Sequence, residues 1–339
     1  MPSLQCRPGP PPLSQGRPSA VPTGSSSVTS SPAPARIPTA LRVFAWLSFV
    51  AQTTIIATGG AVRLTASGLG CPTWPLCTAE SLVPTEELSY HSLIEFGNRL
   101  MTGVVGIVAL AVFLLVIRYN RRAGAKRQDL FTLSFVVGLG IVAQAIVGGI
   151  TVWTGLNPFI VGFHYLSSLA LVCVTAVFLF RLDQPSGPRV PAAPKWFAIL
   201  THVTTLALAI SLVFGVLTTG AGPHSGDSAA GRNGFDAVLL QHIHAWPGYV
   251  LFALTLVLVV AAFRLALPAR RWFLALLLLE LVQIAVGLWQ ARHGLPPLLV
   301  GIHMVLAALL SATMTLSVLS LKQPAASSVD AEPEAARTV

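Results

Sequence analysis

Residues 144–164 read QAIVGGITVWTGLNPFIVGFH, and residues 283–303 read QIAVGLWQARHGLPPLLVGIH. At a constant offset of 139, with no gap, nine of these 21 positions are identical. Gln144, Gly148, Gly155, Pro158, Gly162 and His164 are among them. Unrelated segments of this length would share about one or two, so the chain carries an internal repeat. Each copy is apolar on both sides of a Gly-Leu-x-Pro break. Such a stretch is the end of one apolar span, a tight turn and the start of the next.

Moving outward, apolar runs of about 20 residues recur along most of the chain, the length that crosses a bilayer as a helix. Of the 339 residues, 54% are hydrophobic and only 10% charged, against about 25% charged in an average soluble domain. Eight spans are expected, at 41–62, 92–117, 130–153, 159–181, 196–219, 237–262, 272–292 and 298–321. Backbone polar groups in lipid must be satisfied inside their own segment, so the spans are helices. The fold class is therefore an all-α membrane protein. Its eight transmembrane helices form two repeated four-helix bundles, in parallel orientation because four spans return the chain to its starting side.

The domains follow from this division. Residues 1–38 are rich in Pro, Ser and Gly with no apolar run and read as a disordered N-terminal tail. Residues 39–182 form the N-terminal half and 183–321 the C-terminal half, and 322–339 read as a second disordered tail. The first apolar segment is too long for a cleaved signal peptide.

The formal net charge is +9. The basic residues sit in short loops between spans, which is a topology signal rather than a nucleic-acid footprint. Arg118, Arg121, Arg122, Lys126 and Arg127 lie between spans two and three. Arg181, Arg189 and Lys195 follow span four, and Arg264, Arg270 and Arg271 follow span six. The opposite loops carry Arg63, Arg232 and Arg292. Positive loops stay in the cytoplasm, so both termini are expected there, in a multi-pass protein of the cell membrane.

Within the repeat, His164 and His303 occupy equivalent places in spans four and eight. Spans two and six align more weakly, Glu95-Phe-Gly-Asn98 against Gln241-His-Ile-His244. Each half thus offers one position from its second helix and one from its fourth. Asn98 goes with His164, and His244 with His303. At 1.5 Å per residue all four lie roughly 8–10 Å below the same membrane boundary. Side chains at equal depth on different helices of a bundle can share a metal. His244 and His303 can thus supply both axial ligands of one heme iron. The alternative, hydrogen-bonded packing residues, fits a lone membrane histidine better than four matched positions. His242 faces away from His244, and His202 is isolated in span five; neither is assigned.

Glu95 stands one helical turn from Asn98. A carboxylate inside a span is rare and usually functional, here as a proton-handling group. The alternative is an i,i+4 ion pair with Arg99. The aligned residue of the second half is neutral Gln241, which suggests one catalytic site and one cofactor site. Glu280 in span seven has no repeat partner. Cys71 and Cys77 flank Pro-Thr-Trp-Pro-Leu in an outer loop. Close spacing in an oxidising compartment favours a disulfide, with free or redox-active thiols as alternatives. Two thiols alone make a poor zinc site. Cys173 reads as a packing residue, and Cys6 lies in the N-terminal tail.

The stretch GGAVRLTASGLGCPTWPLC, residues 59–77, resembles the first outer loop of the heme A synthase family. IEFGNR (94–99), QAIVGGITVWTGLNP (144–158), TTGAGPHSGD (218–227) and GLPPLLVGIHM (294–304) are similar to the family's other signatures. The likeness extends over about residues 41–320. It implies an oxidoreductase that converts the C8 methyl of heme O to the formyl of heme A for cytochrome oxidase assembly. It also implies a heme b cofactor in the C-terminal half, held by His244 and His303. The substrate heme would lie in the N-terminal half, with His164 as its ligand, Glu95 as the acidic residue, and Cys71 and Cys77 as the family's cysteine pair. The partners implied are the lipid bilayer, a heme O-producing farnesyltransferase and an electron donor the sequence does not name. Many family members have His where this chain has Asn98, so a bis-histidine N-terminal site is not available here. An open or water-occupied iron position follows, unless His91, one turn before Glu95, stands in as ligand or serves in proton transfer. Other classes that fit the histidines are a diheme electron-transfer cytochrome and a heme transporter or chaperone. The missing fourth ligand speaks against the first.

Overall fold

The computed structural model describes residue 9 and residues 36–85, 89–122 and 126–325. Among the described residues, eight helices are long and apolar enough to cross a membrane. They are α1 (Thr39–Leu64), α2 (Tyr90–Arg122), α3 (Gln128–Trp153), α4 (Pro158–Leu182), α5 (Lys195–Ala221), α6 (Ala237–Arg264), α7 (Arg270–Arg292) and α8 (Pro297–Leu319). All eight expected spans are present, and the chain is a multi-pass, all-α membrane protein. Apolar side chains stand exposed along the helices, with Ile107 at 70% and Val142 at 58%, as suits contact with lipid rather than water.

All but one of the span ends lie within two residues of expectation, and two of the differences bear on the fold. The second helix runs to Arg122 rather than 117, because the basic residues after Ile117 are good helix formers and carry the helix on past its apolar part. The eighth ends at Leu319 rather than 321. A third difference concerns the C-terminal tail drawn from 322. Lys322–Pro324 (β2) pairs antiparallel with Arg189–Pro191 (β1), tying the end of α8 to the loop before α5. Three residues that include a proline show no strand alternation. Residues 1–8, Cys6 included, 10–35 and 326–339 of the two tails lie outside the described residues.

Local chemistry sets the helix starts. Asn157 caps α4 by accepting from the Phe159 and Ile160 N–H groups, with Pro158 in the first turn. Asp236 does the same for α6 through Val238 and Leu239. The turns α3–α4 and α7–α8 share one conformation. Gly155 and Leu156 have φ +60° and +58°, and Gly294 and Leu295 have +71° and +57°. The Leu156 N–H returns to the Thr151 carbonyl at 2.8 Å, and that of Leu295 to Gln290 at 2.9 Å. The leucines accept a backbone that disfavours side chains because their N–H groups close the helix ends.

In residues 39–182, α1 packs on α2 and α4, and α3 on the same two. In residues 183–321, α5 packs on α6 and α8, and α7 on the same two. The halves meet through α1, α4, α5 and α8. The seam is built from small residues and branched aliphatics: Ile56, Val172, Ala176, Ala308 and Ala312. Gly60 lies against Met304, and Gly301 against Leu64. In lipid, such close backbone approach is the main source of helix attraction. The Tyr165 hydroxyl donates to the Met304 carbonyl across the seam at 2.9 Å.

Candidate functional site

The repeat brings its C-terminal pair together. The His244 and His303 rings are neighbours, with centroids 6.2 Å apart and planes crossed at 79°. A metal held between two imidazoles, about 2.0–2.1 Å from each nitrogen and ~1.1 Å more to each ring centre, needs roughly 6.3 Å. The His244 Nδ1–H donates to the Ser211 carbonyl at 2.9 Å, which leaves Nε2 for a ligand. His303 Nε2 accepts from the Gln283 amide at 3.2 Å, while its Nδ1 is buried without a partner. With Nε2 accepting, Nδ1 is the N–H of the neutral ring, a buried donor without a partner among the described residues. Among the described residues no group of three or more His, Cys, Asp or Glu side chains could hold a bare metal ion. Two neighbouring imidazoles suit instead a metal whose other ligands come with a porphyrin.

Glycines make the room. A Cβ on Gly215 of α5 would lie 2.9 Å from His244 Cε1, and one on Gly287 of α7 would lie 3.1 Å from His303 Cε1. The N-terminal half has glycines in the corresponding roles, with more slack. A Cβ on Gly148 would be 3.6 Å from His164 Cε1, and one on Gly59 would be 3.8 Å from Asn98 Oδ1. His164 Nδ1, like that of His303, is buried without a partner. Asn98 Oδ1 accepts from the Thr58 hydroxyl at 2.7 Å.

Beside this second constellation lies the cysteine loop. Cys71 and Cys77 are joined in a disulfide, with both residues fully buried. Glu95 is 5% exposed. One of its oxygens accepts from the Cys71 N–H at 2.7 Å, and the other pairs with Arg99 at 2.5 Å. The ion pair given by the i,i+4 spacing is thus formed. The same guanidinium donates to the carbonyls of Cys71, Thr73 and Leu76. Carboxylate and guanidinium together lash the loop to α2. The loop in turn lays Trp74 on Gly149, where a Cβ would meet the indole at 2.5 Å, and edge-on to Trp153 at 5.4 Å. Gly149 is the neighbour of the glycine that faces His164. His91 hydrogen-bonds Ser67 at 2.9 Å and stacks on Tyr90.

The 218–227 segment joins the halves. Arg63 of α1 donates to the His224 and Thr219 carbonyls at 2.6 and 3.0 Å. The Gly68 N–H donates to the Gly226 carbonyl, and the His224 Nε2–H to the Leu295 carbonyl, both at 2.8 Å. His242 and His202 are exposed, apart from these sites. Glu280 is buried, with one oxygen accepting from Thr255 at 2.7 Å and the other unpartnered. Sequence reasoning missed Thr58, Arg99's grip on the loop, Arg63 and Gln283. Only Arg63, a cation next to an apolar span, and Gln283, identical in both repeats, carried a signal.

Comparison with known proteins gives these features a context. The chain is 35% identical over 148 residues to "Heme A synthase" of Lysinibacillus sphaericus (strain C3-41), a match over 42% of this chain and 46% of that protein. It is 35% identical over 155 residues to "Heme A synthase" of Bacillus cereus (strain AH187), over 44% and 48% of the two chains, and equally to that of Bacillus anthracis (strain CDC 684 / NRRL 3495). The matches span about half the length of these relatives. A family model described as "Cytochrome oxidase assembly protein" (COX15-CtaA) matches residues 42–225, which contain Cys71, Cys77, Glu95, Asn98 and His164 and stop before His244 and His303. That match covers more than half of the chain, and the protein belongs to the cytochrome oxidase assembly family COX15-CtaA.

Proposed function

We propose that this protein is a heme A synthase, an oxidoreductase that converts the C8 methyl of heme O to the formyl of heme A for cytochrome oxidase assembly. The observation that carries the reading is the neighbouring pair His244 and His303 at 6.2 Å, in a chain whose relatives bear that name. The C-terminal half takes heme b as resident cofactor. Bound there, a bis-histidine heme supplies one-electron redox chemistry. Ser211 fixes the His244 tautomer and ring direction, whereas the Gln283 amide, which donates to His303 Nε2, would have to release that nitrogen to a bound heme.

The N-terminal half takes heme O as substrate, with His164 as its protein ligand. Passing from methyl to formyl is a four-electron oxidation; as two successive hydroxylations with loss of water, which the family resemblance implies, it would consume two dioxygen molecules and four electrons and four protons from the donor side, R–CH3 + 2 O2 + 4 e− + 4 H+ → R–CHO + 3 H2O. The chain's own part is to position the methyl and exclude bulk water. The cysteine loop suits that part: Trp74 packs beside the Gly148–His164 contact, and Glu95 and Arg99 hold the loop down. Glu95 acts first as a positioning residue, since both its oxygens are engaged. Proton transfer through it requires the Arg99 pair to open. The loop-charge asymmetry supports a cell-membrane protein with both termini in the cytoplasm and the disulfide outside. A heme O-producing farnesyltransferase and a separate electron donor complete the partners.

The test is co-expression of the full chain with a heme O-producing farnesyltransferase, followed by mass analysis of extracted hemes. Heme A or a hydroxylated intermediate beside heme b is expected. Two equivalents of heme b, with heme O left unoxidised, would instead indicate a diheme cytochrome.

A further inference from the structure

The two candidate sites differ at one of four aligned positions. His244, His303 and His164 are imidazoles, and Asn98 is a carboxamide. Carboxamides are not among the usual axial ligands of heme iron. The amide is also held in a particular way. Its oxygen, the only side-chain atom with a lone pair suited to a metal, accepts the Thr58 hydroxyl at 2.7 Å. Its Nδ2 group, a donor that cannot ligate, makes no hydrogen bond among the described residues. On the α1 side the wall is Gly59, with a Cβ position 3.8 Å from Oδ1 and 4.0 Å from Nδ2. From α1, the Thr58 hydroxyl reaches the amide oxygen, and the next residue, Gly59, presents no side chain. Replacing an imidazole by the shorter carboxamide frees volume on the order of the ~30 Å³ that one water takes.

We propose that the N-terminal half binds the iron of its porphyrin through His164 alone. Asn98, aimed by Thr58, faces the opposite coordination position and donates a hydrogen bond to a water-sized or diatomic ligand there. This rests on reading the N-terminal half as the substrate heme site. Thr58 is a positioning residue, because it acts only through Asn98. The C-terminal iron, closed on both faces by His244 and His303, takes no such ligand. One protein thus holds one coordinatively closed iron and one open iron.

The experiment uses the full detergent-solubilised chain titrated with hemin, with carbon monoxide binding after reduction and cyanide binding before it as readouts. A first heme equivalent that gives a low-spin spectrum, lost in His244→Ala and His303→Ala, is expected to bind neither ligand. A second equivalent, lost in His164→Ala, binds both. Asn98→His is expected to turn that second heme low-spin and weaken carbon monoxide binding by at least about 10-fold at unchanged heme stoichiometry. Thr58→Val should speed cyanide release by about 3- to 10-fold, the scale of one hydrogen bond, with the second heme still bound. The inference is overturned if the second heme is low-spin and refuses both ligands in the wild type, if Asn98→His leaves ligand binding unchanged, or if no His164-dependent heme binds at all. Absence of the His244- and His303-dependent signal would strike the functional reading itself and not this inference.

Discussion

In the C-terminal half, His244 and His303 are pressed against Gly215 and Gly287 so closely that an added methyl would lie 2.9 and 3.1 Å from an imidazole carbon. In the N-terminal half the same measure gives 3.8 Å at Asn98 and 3.6 Å at His164, an ordinary contact. The N-terminal half has instead a disulfide loop tied down by Glu95 and Arg99. Its counterpart of Glu95 in the other half, Gln241, is exposed. On the proposed reading, the difference separates a holder from a workplace. A permanent cofactor is served by tight walls and two fixed ligands. A substrate that must enter and leave is served by slack at the metal and a cover that can be controlled.

The largest effect expected from this contrast lies at the histidines. His244→Ala or His303→Ala should abolish the low-spin heme b spectrum, because on the proposed reading each removes an axial ligand outright. Normal heme content and spectrum in both variants would break the assignment of that half as holder.

Next in size is the lash over the N-terminal site. Glu95→Gln and Arg99→Gln should each lower stability, by roughly 1–3 kcal/mol for a hydrogen bond to a charged group. The double variant should lose less than the sum of the two singles, because they share one pair, while each keeps its own contacts to the loop. Thermal unfolding of the four proteins measures this coupling. Turnover per bound heme b should fall in parallel in the two singles. If Glu95→Gln instead loses about 100-fold more turnover than Arg99→Gln, the carboxylate is a general acid–base group and not a positioning residue.

The smallest effect sharpens the comparison of walls. Gly215→Ala and Gly287→Ala should weaken heme b binding by about 10-fold or more, as changes that displace a metal's supporting shell do. Gly59→Ala and Gly148→Ala should leave the His164-dependent heme within about threefold of wild type, because the added methyl meets ordinary van der Waals distances. Heme titration of the four variants decides it, and equal losses in both halves would erase the distinction.

Most of the architecture was legible in the sequence, for physical reasons. A bilayer imposes long apolar runs, and Pro158 and Pro297 mark helix starts that a reader can place within a residue or two. The neighbouring histidines were legible because a duplicated pattern at equal depth is rare by chance. What stayed hidden depends on the chain folding back on itself. Arg99 gives no hint that it holds four loop carbonyls, and Thr58 is 40 residues from the Asn98 that it orients. The β1–β2 pair joins segments too short and too proline-rich to announce themselves. The fate of Glu95 lay between these extremes. Its i,i+4 partner was visible in the sequence, while the Cys71 N–H that engages its second oxygen was not.

The central claim is that the two halves hold different hemes, and one measurement reaches it most directly. The full chain and its His164→Ala variant are each co-expressed with a heme O-producing farnesyltransferase, and the hemes extracted from equal amounts of purified protein are identified by mass. The account predicts heme b in both proteins at the same ratio, with heme O, its hydroxylated forms and heme A present in the wild type and absent from the variant. Loss of heme b from the His164→Ala protein, or retention of heme O and heme A by it, would contradict the account.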